Sequence, residues 1–189
     1  MKFLVDNRFL QITEKAADFF LLNILWLMMC LPIITIFPST TALYGVARKW
    51  IMGKNDHGVF RTFFSIFREC FWQSTGLSVL WFAIGIFIYW DFHLIHANVL
   101  LLIILGVLTL LFLSITVYLF PVLVHFETNW KNMIRNALTL AIAYPLSTIL
   151  LLAIFLLSVY LVYLFPAVIF IIGSMAAFLS CRICLQLFR

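Results

Sequence analysis

The sequence predicts an all-α protein: a polytopic transmembrane helical bundle with five long crossings, one short or re-entrant helix, and an amphipathic helix at the inner interface. Three observations carry this. Hydrophobic residues make up 66% of the 189 residues, against about 45–50% in an ordinary soluble domain. Charged residues make up 10%, where about 25% is usual. The charges are also segregated: stretches 19–47, 70–90, 92–126 and 136–181 hold no Asp, Glu, Lys or Arg and together contain 131 of the 189 residues. A helix needs about 20 apolar residues to cross a bilayer core. A membrane barrel would alternate apolar and polar residues over strands of about 10, whereas these runs are continuously apolar. In lipid the backbone must pair within each segment, so the runs become helices. Residues 1–189 read as one integral membrane domain. A soluble enzyme, a nucleic-acid-binding domain and a disordered chain are excluded.

The first apolar segment spans about Phe19–Phe37. It is longer than a signal-peptide core of about 7–15 residues, and no A-x-A site follows, so it reads as retained. Pro32 is expected to kink or break it. Pro38-Ser39-Thr40-Thr41 follows as a break, with Ser39 or Thr40 able to cap the next helix. The chain should therefore turn sharply near Pro38. The stretch Thr41–Met52 is apolar but short; it fits a half-crossing, a re-entrant helix or an interfacial helix. Gly45 within it would allow close helix approach.

Lys54-Asn55-Asp56-His57-Gly58 is a strong turn cluster. After it Phe60, Phe63, Phe64, Phe67 and Phe71 fall within about a 100° arc of a helix, with Arg61, Ser65, Arg68 and Glu69 opposite. The pattern predicts a helix over about 59–71 lying in the inner interface, Phe rings in the acyl chains and Arg61 and Arg68 near headgroups. It serves either as a plain membrane-lying connector or as a coupling helix that docks a cytoplasmic partner.

The next two crossings span about Phe71–Trp90 and Val99–Phe120. The charge-free run 136–181 would reach roughly 69 Å as one helix, too long for a single crossing. Tyr160, Tyr163 and Pro166 mark its turn, which divides it into Ala137–Ser158 and Pro166–Leu187. Pro145 is expected to kink or break the first of these.

Lys and Arg set the orientation. The loop Asp91–Asn98 and the turn near Tyr160–Pro166 contain neither, whereas Arg48–Arg68 holds five, Pro121–Asn136 holds Lys131 and Arg135, and the tail holds Arg182 and Arg189. The positive-inside rule places the basic regions in the cytoplasm, the C-terminus with them. If Thr41–Met52 returns across the membrane, the N-terminus with Lys2, Arg8 and Lys15 is also cytoplasmic and all 12 basic residues share one side. With five crossings alone the split is nine to three. The first arrangement is favoured. The net charge of +5 is then topology, with a lipid bilayer as the partner it addresses and no nucleic acid.

Chemical sites are few. Asp91, His93 and His96 share the outer loop and carry metal-ligand chemistry, but a short loop between crossings must hold polar residues in any case. Cys181 and Cys184 have C-x-x-C spacing without a second pair or a thioredoxin-like context. His125 and Glu127 have no nucleophile placed beside them. No Asp, Glu, Lys or Arg lies mid-membrane in any segment, and coupled transporters normally keep such groups there. No catalytic residue, metal or cofactor is assigned. Asn23, Gln73, Ser74, Thr75 and Ser78 can hydrogen-bond between helices.

The stretch Leu22–Lys49 carries a resemblance. Its features are Leu22-Asn23 with Trp26, then Leu31-Pro32-Ile33-Ile34-Thr35, Pro38-Ser39-Thr40, Ala42-Leu43-Tyr44, and Arg48-Lys49. It resembles the YesL-like family of small bacterial membrane proteins, whose biochemical function is unknown, and the spaced phenylalanines of Phe60–Phe71 resemble that family's aromatic helix. The likeness covers about the first 80 residues. Members of the family are often encoded beside sugar uptake transporters and polysaccharide-degrading enzymes. The resemblance therefore implies a non-catalytic accessory or regulatory subunit of a carbohydrate uptake (ABC-type) system in the cell membrane, with a transporter permease or a sensor protein as partner. A small channel for an uncharged solute, lined by Asn23, Thr35, Ser74, Thr75 and Ser78, is the alternative; a membrane enzyme using Asp91, His93 and His96 is the third reading.

Overall fold

Residues 2–53, 58–94, 99–125 and 130–187 are described by a computed structural model. They form seven helices: α1 (Lys2–Met29), α2 (Ile36–Ile51), α3 (Val59–Leu94), α4 (Val99–His125), α5 (Trp130–Ala143), α6 (Pro145–Leu164) and α7 (Ile169–Leu187). Short 3-10 turns at Ile33–Thr35 and Pro166–Val168 precede α2 and α7. Four segments are long and apolar enough to cross a bilayer: Val59–Leu94, Val99–His125, Pro145–Leu164 and Pro166–Leu187. This is a multi-pass helical membrane protein.

The breaks follow the prolines. Between α1 and α2 the chain turns at Pro32, not at Pro38 as expected. Pro32 is extended (φ −77°, ψ 128°), and the Thr35 hydroxyl lies 2.6 Å from the Met29 carbonyl and 2.8 Å from that of Pro32, so it covers acceptors left open where α1 stops. Pro38 sits in the first turn of α2, where its missing N–H costs nothing. Ser39 and Thr40, expected as caps, are inside α2. The Thr40 and Thr41 hydroxyls donate back to the carbonyls of Ile36 and Phe37, at 2.7 and 2.8 Å.

At the other end of α2, Gly53 adopts the left-handed conformation (φ 71°). The Met52 and Gly53 amides reach the carbonyls of Arg48 and Trp50, a common way to close a helix.

The expected crossing Ala137–Ser158 is two helices. Pro145 has no N–H for the Ala141 carbonyl four residues back. The Thr148 hydroxyl fills that role, 3.0 Å from both the Ala141 and Tyr144 carbonyls.

The expected interfacial helix over 59–71 is not a separate element. Val59–Leu94 is one continuous helix of 36 residues, about 54 Å long. Neither Pro nor Gly occurs between Val59 and Thr75, so nothing ends the helix where it would have to turn into the membrane. Its phenylalanine stripe also faces protein: Phe63 is fully buried in one core with Leu22 and Leu25 of α1 and Leu43 and Val46 of α2, while Phe60 is exposed.

The short helix is the centre of the bundle. Nine of the 16 residues of α2 are buried, against two of the 20 in α6. α2 packs on α1, α3, α4 and α7. A second core joins Phe37 of α2 to Leu77 and Trp81 of α3, to Tyr118, Leu119 and Val122 of α4, and to Met133 and Ala137 of α5.

Candidate functional site

The helix-break motif read from the sequence converges on α2. Trp26 of α1 donates its indole N–H to the Thr40 hydroxyl at 3.2 Å. Asn23, fully buried one turn earlier, donates to the Ile169 carbonyl at the start of α7, 2.5 Å away. Gly173 of α7 is what admits this side chain: a Cβ there would lie 2.6 Å from Asn23 Oδ1 and 3.2 Å from the Trp26 ring. Gly45 performs the same service between α2 and α3, where a Cβ would stand 2.8 Å from Ile66 Cδ1. Tyr44 stacks on Phe120 of α4 with ring centroids 5.7 Å apart. Arg48, near the end of α2, donates to the Val124 carbonyl at 2.6 Å; a cation at the carbonyl end of α4 also meets the helix dipole favourably.

Beside this junction lies a cavity of about 270 Å³ enclosed by α2, α4, α6 and α7, with Trp26 at one side. Its walls are mostly aliphatic and aromatic, among them Leu43, Leu113, Phe120, Ile154 and Ile172. The hydroxyls of Thr40, Thr116 and Ser158 that line it are engaged. Thr116 donates to the Phe112 carbonyl at 2.6 Å and accepts from the Trp81 indole at 2.9 Å. Ser158 donates to the Ile154 carbonyl at 2.7 Å. Thr40 donates to the Ile36 carbonyl and accepts from the Trp26 indole.

The residues named for a polar channel do not line this cavity, and they sit at different interfaces. Asn23 is between α1 and α7, Thr35 covers the α1 terminus, and Ser74 meets Thr41 across α2 and α3 at 3.3 Å. Ser78 turns back to the Thr75 carbonyl of its own helix. Asp91 and His93, the metal candidates, are helical positions two apart at the end of α3, about 200° round from each other, and the His93 ring lies against Tyr89. His96 and Glu127 lie outside the described residues. Among the described residues no three His, Cys, Asp or Glu come together as a metal-holding group. Cys181 and Cys184 are free thiols buried in α7.

Along α3 the inner-interface residues divide. Phe63 is buried and Phe64, Phe67 and Phe71 are partly buried, whereas Phe60, Arg61, Ser65, Arg68 and Glu69 are exposed. Ser65 donates to Glu69 at 2.7 Å. Sequence reasoning missed Gly173, Thr148, Tyr118 and the Trp81–Thr116 pair. Tyr118 is fully buried with its hydroxyl 3.3 Å from that of Thr148. Thr148 alone left a signal, a hydroxyl three residues after a proline that orphans a carbonyl.

Four membrane-length segments, three of them packed on a short buried helix, define a class: a small multi-pass helical membrane protein. Within that class the chain belongs to the YesL-like family. Residues 19–92 match the family model described as "Protein of unknown function, DUF624". The chain is similar to the uncharacterized protein YteU of Bacillus subtilis, 35% identical over 154 residues that cover 78% of this chain and 69% of that protein. It is also similar to two further uncharacterized proteins of that organism. YesL is 28% identical, covering 70% of this chain and 66% of that protein. YesV is 28% identical, covering 71% and 69%. No solved structure matches the chain.

Proposed function

We propose that this protein is a non-catalytic membrane subunit that docks on the permease of a carbohydrate uptake (ABC-type) system and presents the first half of α3 to it on the cytoplasmic side. The observation that carries the reading is the continuity of α3. At about 54 Å it exceeds a hydrocarbon core of about 30 Å, so its first turns stand in or beyond the interface. There the Phe63 face is used up inside the bundle, and Arg61, Ser65, Arg68 and Glu69 form an outward ridge. A rigid extension of a crossing helix with a basic, hydrogen-bonding outer face suits a protein contact better than burial in acyl chains. The carbohydrate assignment rests on the genomic setting that the family resemblance implies.

The topology that goes with this reading has both termini in the cytoplasm. α1 and α2 form a hairpin whose tip, Leu31, Ile33 and Ile34, is apolar and exposed. Sixteen residues of α2 rise only about 24 Å, so the tip ends within the membrane and the hairpin is re-entrant. Four crossings then follow, and every Lys and Arg of the sequence shares one side.

Purification in mild detergent tests the docking. An ABC-type sugar permease should co-isolate with the wild type and be lost from an Arg61→Glu, Arg68→Glu variant that accumulates to the same level. A wild-type protein that purifies free of permease as a homogeneous homo-oligomer would contradict the proposal.

A further inference from the structure

We infer that the cavity between α2, α4, α6 and α7 is a binding site for one acyl chain of a bilayer phospholipid. Three observations lead there. The first is depth: its lining from α4, α6 and α7 comes from within the segments able to cross a membrane. The second is an opening on the lipid side, since Phe155 and Val159, one turn apart on α6, both line the cavity and are exposed. The third is the state of its polar groups. Each hydroxyl of Thr40, Thr116 and Ser158 donates to a carbonyl of its own helix, and the indole N–H groups of Trp26 and Trp81 are spent on the two threonines.

A sugar or another polar solute entering this space would meet few partners for its many hydroxyls, at a cost of about 1–3 kcal/mol for each one left unpaired. An apolar guest meets no such penalty. An apolar cavity of about 150 Å³ holds a benzene-sized molecule, so about 270 Å³ accommodates a longer stretch of hydrocarbon. Acyl chains are the hydrocarbon present at this depth, and the phospholipid headgroup stays at the interface while one chain bends inward past α6. The inference is independent of the permease and concerns a different face of the molecule from α3.

The test uses the full-length protein in vesicles of phosphatidylglycerol carrying a photoactivatable diazirine on one acyl chain, followed by peptide mapping. Leu43 and Ala177 line the cavity and are each 2% exposed, so a lipid that merely surrounds the bundle does not reach them. Crosslinks at Leu43 or Ala177 are expected in the wild type. They should be lost when Ala176→Phe or Ser158→Phe fills the space, and kept in Leu156→Phe, whose side chain faces outward. Crosslinks in the wild type confined to outward residues such as Leu156 would overturn the inference, and this outcome does not depend on whether either filled variant folds. Intact-mass analysis of the species retained after detergent extraction identifies the source. A phospholipid mass is expected, and a free fatty acid in its place would overturn the assignment to a bilayer lipid.

Discussion

The half of the bundle that contains α2 and the half that lies beyond its tip are built differently. Every buried residue of α3 falls between Val59 and Trp81, while Val79, Phe82, Ile86, Phe87, Tyr89 and Trp90 are exposed. α4 runs the other way and repeats the pattern: Val117–Leu119 and Pro121–Leu123 are buried, whereas Val99–Ile104 and Val107–Leu111 are largely exposed. In α6 only Thr148 and Leu151, near its start, are buried. One half is thus packed like the core of a soluble protein. The other leaves its apolar side chains to lipid. The same residue types serve both halves, because lipid tails are as apolar as leucine and give no hydrophobic drive for helices to associate. What distinguishes the packed half is a short central helix with small and hydroxylated residues on every side.

The two halves should differ most at phenylalanine. Phe63→Ala empties a fully buried position and should destabilise the protein by about 3–5 kcal/mol. Phe87→Ala, at a residue 67% exposed, should change stability by about 0.5 kcal/mol or less. Thermal unfolding of the two variants in one detergent checks this, and equal losses would mean that the halves are not packed differently.

At glycine positions the expected difference is smaller. Gly45→Ala places a methyl 2.8–2.9 Å from two Ile66 carbons and should cost about 1–3 kcal/mol. Part of that loss should return in the double variant with Ile66→Val, since the two sites touch. Gly106 has nothing within 4 Å of its Cβ position, so Gly106→Ala should stabilise α4 by up to about 1 kcal/mol. The same unfolding series reads both signs.

Much of this architecture is written plainly in the sequence, and the remainder is hidden for a definable reason. Three of the charge-free runs locate the four membrane-length segments because charge and hydropathy report the membrane directly; the first, 19–47, read as holding a crossing over Phe19–Phe37, contains none of them. Pro32 and Pro145 mark real breaks because the missing N–H acts locally. The position of α2 is not marked in that way. Its hydroxyls at Ser39, Thr40 and Thr41 look like caps when read alone, and only the helices around it make them interior residues. The phenylalanine stripe of Phe60–Phe71 fails similarly. A face buried against α1 and α2 has the same period as a face buried in acyl chains.

The candidate site divides along the same line. Asn23, Trp26, Thr40, Tyr44 and Gly45 are legible because polar, aromatic and small residues stand out in an apolar run; of these Trp26 and Thr40 meet, while the others reach α7, α4 and α3. The cavity beside them is not legible. Its walls on α6 and α7 come from stretches such as Ile154–Val162 whose nearly uniform apolarity gives no period to read.

Hydrogen–deuterium exchange of the protein in detergent tests the central position of α2 most directly. A 16-residue helix too short to span a bilayer would exchange quickly if it lay at the interface or formed a loosely held hairpin. Peptides covering Ile36–Ile51 should exchange as slowly as the buried part of α3 around Leu77, and more slowly than the second half of α6. Fast exchange across Ile36–Ile51, with α3, α4 and α7 still protected, would contradict the central position of α2.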